Sequence, residues 1–325
     1  MKTMDQSIPP IFAMLPGQWT PALPLAELKE QLVSFEIAGE ALVAFPDQAG
    51  EWTVLLDRCP HRGAALSLGQ VMSDGTLQCR YHGWRFGAGG HCHRVPFNEL
   101  TAGALARIRA TAIPCRLLAG CLWIYTGTQA PGEPVLPDTL EGPVEQFGSY
   151  YQDWTAHWTR AVENFIDFTH PPYAHRDTIG SYSHDYAESG GTAHVEIEKH
   201  DAGMTLLNFM GGRSFGFRLD WFAPNLTRLH FGPHHKLHVY SIPINATRTR
   251  VLTVRPLPPG EDPVAWAERA ASIDHPILSE DRLIVESQPG DVALAGKEIS
   301  VATDAPTVEF RRWYRKHVTD YELPA

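Results

Sequence analysis

The sequence predicts an α+β protein in two parts: a small all-β module, then a larger unit built on one extended antiparallel sheet with a few helices. Three observations carry this reading. Short alternating segments, broken by Gly and Pro, occupy residues 1–130, and longer period-2 segments recur between residues 150 and 255. Helical patterns are confined to a stretch just after residue 159 and to the C-terminal quarter. With 27 Gly and 26 Pro in 325 residues, turns are frequent enough to favour β-rich architecture over a helical bundle.

Taken in order, Val33–Ile37 alternates, Ala38-Gly39-Glu40 turns, Ala41–Phe45 runs apolar, and Trp52–Leu56 follows a second turn. A polar stretch spans Arg58–Gly90, and strands return at Ala112–Leu118 and Cys121–Tyr125. Residues 131–138 then hold three prolines, a stiff connector that divides the chain into 1–130 and 131–325. Beyond it, Tyr150–Thr159 alternates and a helix is expected over Arg160–His170, stopped by Pro171-Pro172. Strands are expected at 193–198, 204–210, 215–222, 226–231, 236–242 and 248–255, and helices at 263–272, 276–288 and 305–317.

The net charge of −10 lies wholly in residues 131–325, which hold 17 Lys/Arg against 27 Asp/Glu; residues 1–130 balance at 10 each. Without a basic stripe the chain is a poor nucleic-acid binder. No run approaches the ~18 apolar residues of a membrane span. Met1–Trp19 lacks the apolar run of a signal peptide. Five cysteines, an odd number, argue against a disulfide framework and for a reducing cytoplasm.

Two of those cysteines sit in an informative pattern. Cys59-Pro60-His61 is followed, 17 residues on, by Cys79-Arg80-Tyr81-His82-Gly83-Trp84. Each loop supplies one thiolate and one imidazole, whereas zinc fingers sort cysteines and histidines into separate pairs. The mixed set suits a two-iron cluster in which two His replace two Cys on one iron. Cys92, Cys115 and Cys121 fall outside this pattern and read as small buried apolar residues, and His91 and His93 as strand-edge polar residues.

This pattern resembles the Rieske [2Fe–2S] motif, and the resemblance assigns Cys59 and Cys79 to one iron and His61 and His82 to the other. Further along, Asn164, Asp167 and His170 are spaced to line one face of a helix, and the prolines let His175 turn back towards His170. Two imidazoles and a carboxylate with open positions form the facial triad of non-haem Fe(II). The third ligand is sought among later acids. Asp281 interrupts the apolar stripe Ile277/Leu278, Ile284/Val285, where an unpaired carboxylate is costly unless it binds a metal. Glu280 is the competitor.

The segment 164–175 resembles the Asn-x2-Asp-x2-His-x4-His signature of the Rieske non-haem iron oxygenases. The resemblance covers essentially the whole chain, and Glu280-Asp281 ahead of Glu286-Ser287-Gln288 fits it too. It implies a helix-grip catalytic domain after the Rieske module, a mononuclear Fe(II) on His170, His175 and Asp281, and Asn164 near that iron. Asp167 is implied as a bridging carboxylate that meets His82 of a neighbouring subunit in a head-to-tail homotrimer. The implied activity is monooxygenase chemistry with O2 and electrons from a ferredoxin or an NAD(P)H-dependent reductase. It would hydroxylate, or oxidatively O- or N-demethylate, a small aromatic or heterocyclic substrate. Arg62, Arg80 and Arg85 form a basic group suited to docking an acidic ferredoxin.

Aromatic residues Phe165, Phe209, Phe215, Phe217, Trp221, Phe222, Phe231 and Tyr240 offer a pocket lining. Asn208, Arg213, His230 and His238 offer polar contacts, and His234-His235 beside Pro233 reads as a loop. Two other classes are open on sequence alone: a Rieske electron carrier or redox sensor without oxygenase activity, and a zinc hydrolase with a zinc-bound N-terminal module.

Overall fold

The alternating segments of the first part become three small antiparallel sheets in the structure. It is a computed structural model that describes residues 12–15, 17–28, 31–127, 129–211, 213–231, 236–258, 260–292 and 298–318. In chain order the strands are β1 (Trp19–Pro24), β2 (Val33–Ile37), β3 (Glu40–Pro46) and β4 (Trp52–Leu56). Four short strands follow: β5 (Gln70–Val71), β6 (Leu77–Gln78), β7 (Arg85–Phe86) and β8 (Cys92–Arg94). After a four-residue helix, α1 (Ala102–Leu105), come β9 (Ala112–Ile113), β10 (Cys115–Leu118) and β11 (Cys121–Tyr125). They pair as β2-β3-β4-β9, β5-β6-β7-β8 and β1-β11-β10.

Two expectations change here. Strands of two or three residues inside the polar stretch are too short for alternation to show. The single strand expected over 112–118 is two strands in different sheets, because Pro114 between them cannot donate to a ladder.

The second part is a seven-stranded antiparallel sheet. Its strands are β12 (Phe147–Trp154), β13 (Ala193–His200), β14 (Gly203–Met210), β15 (Arg213–Phe222), β16 (Leu226–His230), β17 (Lys236–Asn245) and β18 (Arg248–Pro256). They lie in the order β12-β18-β17-β16-β15-β14-β13. Its helices are α2 (Trp158–Ile166), α3 (Pro171–Ala174), α4 (Ser181–Glu188), α5 (Pro263–Val285) and α6 (Ala305–His317).

The sheet is packed on both faces, so β17 and β18 are buried along most of their length. On one, Leu219, Trp221 and Met204 pack with Trp158 and Val162 of α2 and Phe310 and Tyr314 of α6. On the other, Leu226, Tyr240, Ile242, Leu252 and Val254 share a core with Phe12, Leu15, Leu23 and Trp123 of the first part. Each such side chain contributes about 1.5–3 kcal/mol on burial, so the two parts are joined by packing as well as by the connector. Arg250 adds a polar tie. It binds Asp153 through two nitrogens at 2.8 and 3.0 Å, donates to Ala22 O at 3.2 Å and lies over the Tyr151 ring.

Two helix expectations are corrected. Helix α2 ends at Ile166, not at His170, because Asp167 is extended and its Oδ1 accepts from Thr169 N (2.6 Å) and Thr169 Oγ1 (2.8 Å). This local turn competes with helix continuation. Pro171 and Pro172 do not stop that helix; they open α3, where a missing N–H costs nothing. The segments expected as helices 263–272 and 276–288 are one continuous helix that passes through Pro276. Its far half is pinned by buried Leu278, Asp281 and Val285, and Gln152 of β12 donates to His275 O and Ser279 Oγ.

Candidate metal centres and substrate cavity

The two Cys–His loops share one backbone design. Cys59 N–H donates to Ala64 O and Cys79 N–H to Trp84 O, both at 2.8 Å and five residues on. Gly63 N–H donates back to Cys59 O and Gly83 N–H to Cys79 O, both four residues on. Each glycine has positive φ (74° and 70°), which side-chain-bearing residues rarely adopt. Glycine at the fourth position after each cysteine is therefore a sequence signal for two matching loops; Gly83 belongs to the quoted motif, and Gly63 is its counterpart in the first loop.

Both cysteines are buried. Burial lifts the Cys59 thiol to about 11, and the neighbouring Cys79 sulfur adds to this, against hydrogen bonds from the backbone of His61 and Arg62. Such a thiol stays protonated unless a metal takes the proton's place. The imidazoles close the other side: the His61 and His82 ring centres are 4.5 Å apart, and His61 stacks on Trp84 at 4.4 Å, 7° from parallel. His61 Nδ1 is buried without a hydrogen-bond partner. Burial, then His82 and Arg62, lower its proton affinity and leave a free lone pair. Two thiols and two imidazoles set in this way fit a [2Fe–2S] cluster.

His82 is exposed, as are Tyr81, Phe97 and Leu100 around a cleft that His61 and His82 line. Of the three arginines expected to dock a donor, Arg62 and Arg80 are exposed, while Arg85 is mostly covered and pairs with Asp74 at 3.5 Å. The docking group is thus smaller than the sequence suggested. Cys92 and Cys121 are buried, Cys115 is partly so, and His91 and His93 are exposed at a strand edge.

The second centre forms where α3 meets α5. Donor atoms of His170, His175 and Asp281 lie within 4.8 Å of one another. Asp281 Oδ1 is 3.0 Å from His175 Nε2 and 3.5 Å from His170 Nε2. Asp281 is 3% exposed, yet this oxygen receives no properly angled hydrogen bond. A buried carboxylate in that condition is costly unless a cation joins it.

Glu280, the rival candidate for third ligand, has a different place. Its Oε2 accepts from His175 Nδ1 at 2.9 Å and from Thr178 Oγ1 at 2.7 Å. Adjacent acids on α5 therefore face opposite nitrogens of one imidazole. Burial pushes His175 down, but the neighbouring carboxylates of Asp281 and Glu280 outweigh this and raise it above the ordinary value. A neutral ring that donates from Nδ1 turns its Nε2 lone pair towards an anionic oxygen, an arrangement that requires a second proton or a metal ion. For His170, burial is the larger influence and lowers its proton affinity despite Asp281 and Asp167. Two imidazoles and a carboxylate on one side of an apolar chamber fit a mononuclear iron.

Asp167 reaches this centre by its turn, not along a helical face; its Oδ2 is 3.9 Å from His170 Nδ1. Asn164 is the least buried residue of α2, and its Nδ2 is buried without a partner. Asn164, Asp167 and His170 form a partition. On one side is a cavity of about 200 Å³ floored by His170, His175 and Asp281 and walled by Phe165, Phe217, Leu229, Phe231 and Val239. On the other is a polar cleft of about 250 Å³ lined by Arg160, Glu163, Glu298 and Arg311, with Ile284 and Ile299 exposed at its rim.

The expected pocket lining is only partly correct. Phe165, Phe217 and Phe231 line the cavity, whereas Trp221 packs under α6, and Phe222 and Tyr240 face the first part. Phe209 stacks on His194 away from it. Asn208 donates to Phe217 O, His230 binds Asp220 at 2.7 Å, and His238 binds Thr139 at 2.8 Å; none lines the cavity. His234 and His235 and the side chains of Arg213 and Phe215 lie outside the described residues. The polar lining comes instead from Asn164, Thr253 and Arg255, with the Arg255 guanidinium over the Trp266 ring. Strand alternation alone did not reveal which face of β18 looks inward.

Comparison with known proteins agrees with this anatomy. Residues 18–105 match the Rieske [2Fe-2S] domain, and residues 154–320 match the vanillate O-demethylase oxygenase C-terminal domain. Chlorophyllide a oxygenase of Chlamydomonas reinhardtii is 29% identical over 91% of this chain and 47% of its own length. The 3-chlorobenzoate-3,4-dioxygenase oxygenase subunit of Comamonas testosteroni is 33% identical over 51% of this chain and 39% of its own. The chain thus spans about half, or less, of the curated relatives it matches. Dicamba monooxygenase bound to dicamba has the same fold, with a TM-score of 0.71 at 20% identity, covering 94% of this chain and 97% of that one. Among the described residues no helix is long and apolar enough to cross a membrane.

Proposed function

The chain belongs to the Rieske oxygenases, with a C-terminal domain of the vanillate O-demethylase type, and on that premise we propose that it is a monooxygenase of small aromatic or heterocyclic compounds. Residues 1–130 form the electron-entry module, with Cys59, His61, Cys79 and His82 holding the cluster. Residues 131–325 form the catalytic domain, with His170, His175 and Asp281 holding Fe(II). With those groups bound, the cluster would supply single electrons and the iron would supply O2 activation. In balance, O2, two electrons and two protons convert a substrate C–H bond to C–OH and release one water. On an O- or N-methyl group the product sheds formaldehyde; on a ring or alkyl carbon it is the alcohol.

The chain's own residues divide this work. Asp167 and Asn164 separate the apolar cavity from the polar cleft, so electrons and protons arrive from one side and substrate from the other. Apolar walls exclude water and hold a ring-sized molecule against the floor. Arg255, set over Trp266, gives the far wall a cation suited to a carboxylate, phenolate or sulfonate on that ring. Exposed Tyr81, Phe97 and Leu100 beside His82, and Ile284 and Ile299 beside the Asp167 cleft, suit a head-to-tail homotrimer in which one subunit's cluster faces its neighbour's Asp167. A ferredoxin or an NAD(P)H-dependent reductase supplies the electrons, and five free cysteines suit a reducing cytoplasm.

The observation that carries the reading is Asp281 Oδ1, buried without a hydrogen bond between two imidazole nitrogens. Three irons per chain and consumption of O2 with methoxybenzoates, assayed for formaldehyde with a generic reductase, are expected. Two irons per chain and no O2 consumption would make the protein an electron carrier instead.

A further inference from the structure

The two imidazoles of the catalytic centre are held in unlike ways. His175 is 2% exposed and its Nδ1 is engaged by Glu280, whose Oε2 is itself fixed by Thr178 Oγ1 at 2.7 Å. Thr178 is placed by the chain that follows α3: its N–H donates to His175 O at 3.0 Å. The bonds 175–178–280 thus close a small ring joining α3 to α5. His170 has no such support. Its Nδ1 is buried without a hydrogen bond, and the nearest acid, Asp167 Oδ2, is 3.9 Å away. The other oxygen of Asp167 is committed to Thr169.

We propose that Glu280, seated by Thr178, is the positioning residue that retains the metal, by fixing His175 with its Nε2 towards Asp281. His170 is the adjustable ligand, free to respond to Asp167. This rests on the reading of His170, His175 and Asp281 as a metal centre. The physical reason is that a ring donating from Nδ1 to a carboxylate is locked in one tautomer and orientation and becomes a stronger base at Nε2. A ring without that partner must pay rotational entropy when it binds. Retention of the metal and sensitivity to the electron path are thereby assigned to different ligands.

The test is metal affinity in the full chain with its cluster in place. The mononuclear site is emptied with a chelator, and Co2+ is titrated against a chromophoric competitor. Glu280→Ala is expected to weaken binding about 10–100-fold. Glu280→Gln keeps an acceptor for Nδ1–H and should fall between that variant and wild type. Thr178→Val should lose less than either, and Asp167→Asn should bind as wild type does. Cluster absorbance and the melting curve report folding for each. Wild-type affinity in folded Glu280→Ala would overturn the proposal. If Glu280→Ala does not fold, Glu280→Gln decides: unchanged affinity overturns the proposal, and partial loss supports it. If the wild-type chain takes up no Co2+ beyond its cluster, the metal-centre reading itself fails, and this proposal with it.

Discussion

Replacing Arg160 with Met should destabilise the catalytic half far more than a surface charge change would. Arg160 is 2% exposed at the start of α2. It donates to Pro289 O at 2.9 and 3.2 Å, to Gly290 O at 3.2 Å, to Glu163 at 3.2 Å and to Glu298 at 2.7 and 3.2 Å. Arg311 joins the same two glutamates. Methionine fills similar space but strands two carbonyls and leaves buried Glu163 with one cation in place of two. Removing one partner of a buried charged network costs about 3–5 kcal/mol. At about 2–4 °C per kcal/mol for a domain of this size, the melting midpoint should drop by about 6–20 °C. Circular dichroism on the iron-loaded chain reads this, while cluster absorbance follows the N-terminal module separately. Because residues 289 and 290 follow the helix that carries Asp281, the variant should also lose iron more readily. Arg160→Lys should fall in between, since one ammonium cannot span the carbonyls and both glutamates. A midpoint within 2 °C or so of wild type would show that the network contributes no more than an exposed pair.

Three shorter predictions concern the site and its support. Asp167→Asn keeps the acceptor for Thr169 but removes the carboxylate charge 3.9 Å from His170 Nδ1. Turnover should fall roughly 10- to 1000-fold with both metal centres retained, and normal turnover in a single-turnover assay would remove Asp167 from the relay. Glu298 is held at about 2 by its bonds to Arg160 and Arg311, below its ordinary 4.5. Its contribution is fully present above the unfolded value and is lost as pH falls towards 2, so Glu298→Gln should flatten the stability–pH curve in that window, measured by urea titration. Val239→Phe should take volume from the 200 Å³ cavity and raise KM for larger rings more than for smaller ones. Equal effects on both would mean that Val239 does not bound the substrate.

Much of this molecule could be read from residue spacing. The Cys59/His61 and Cys79/His82 loops were legible because the backbone rules that shape them act within six residues, and the strands of the large sheet because apolar and β-branched segments are bounded by turn residues. Asp281 was legible as a charge where packing demands an apolar residue. What could not be read were consequences of long-range contact. The run of α5 through Pro276 depends on burial supplied by β12 and α2, whereas the end of α2 at Ile166 is the exception, set by the local turn between Asp167 and Thr169. Arg255 and Thr253 join the cavity only because β18 presents that face to it.

The chemistry follows from the order of residues: which side chains carry sulfur, imidazole and carboxylate, and at what spacing. Their division of labour comes from contacts between distant parts of the chain. Glu280 and Asp281 are neighbours with the same functional group, and helical phase alone favours one without giving the other a task. Their roles separate because His175, 105 residues away from Glu280 in sequence, is brought between them and offers each a different nitrogen.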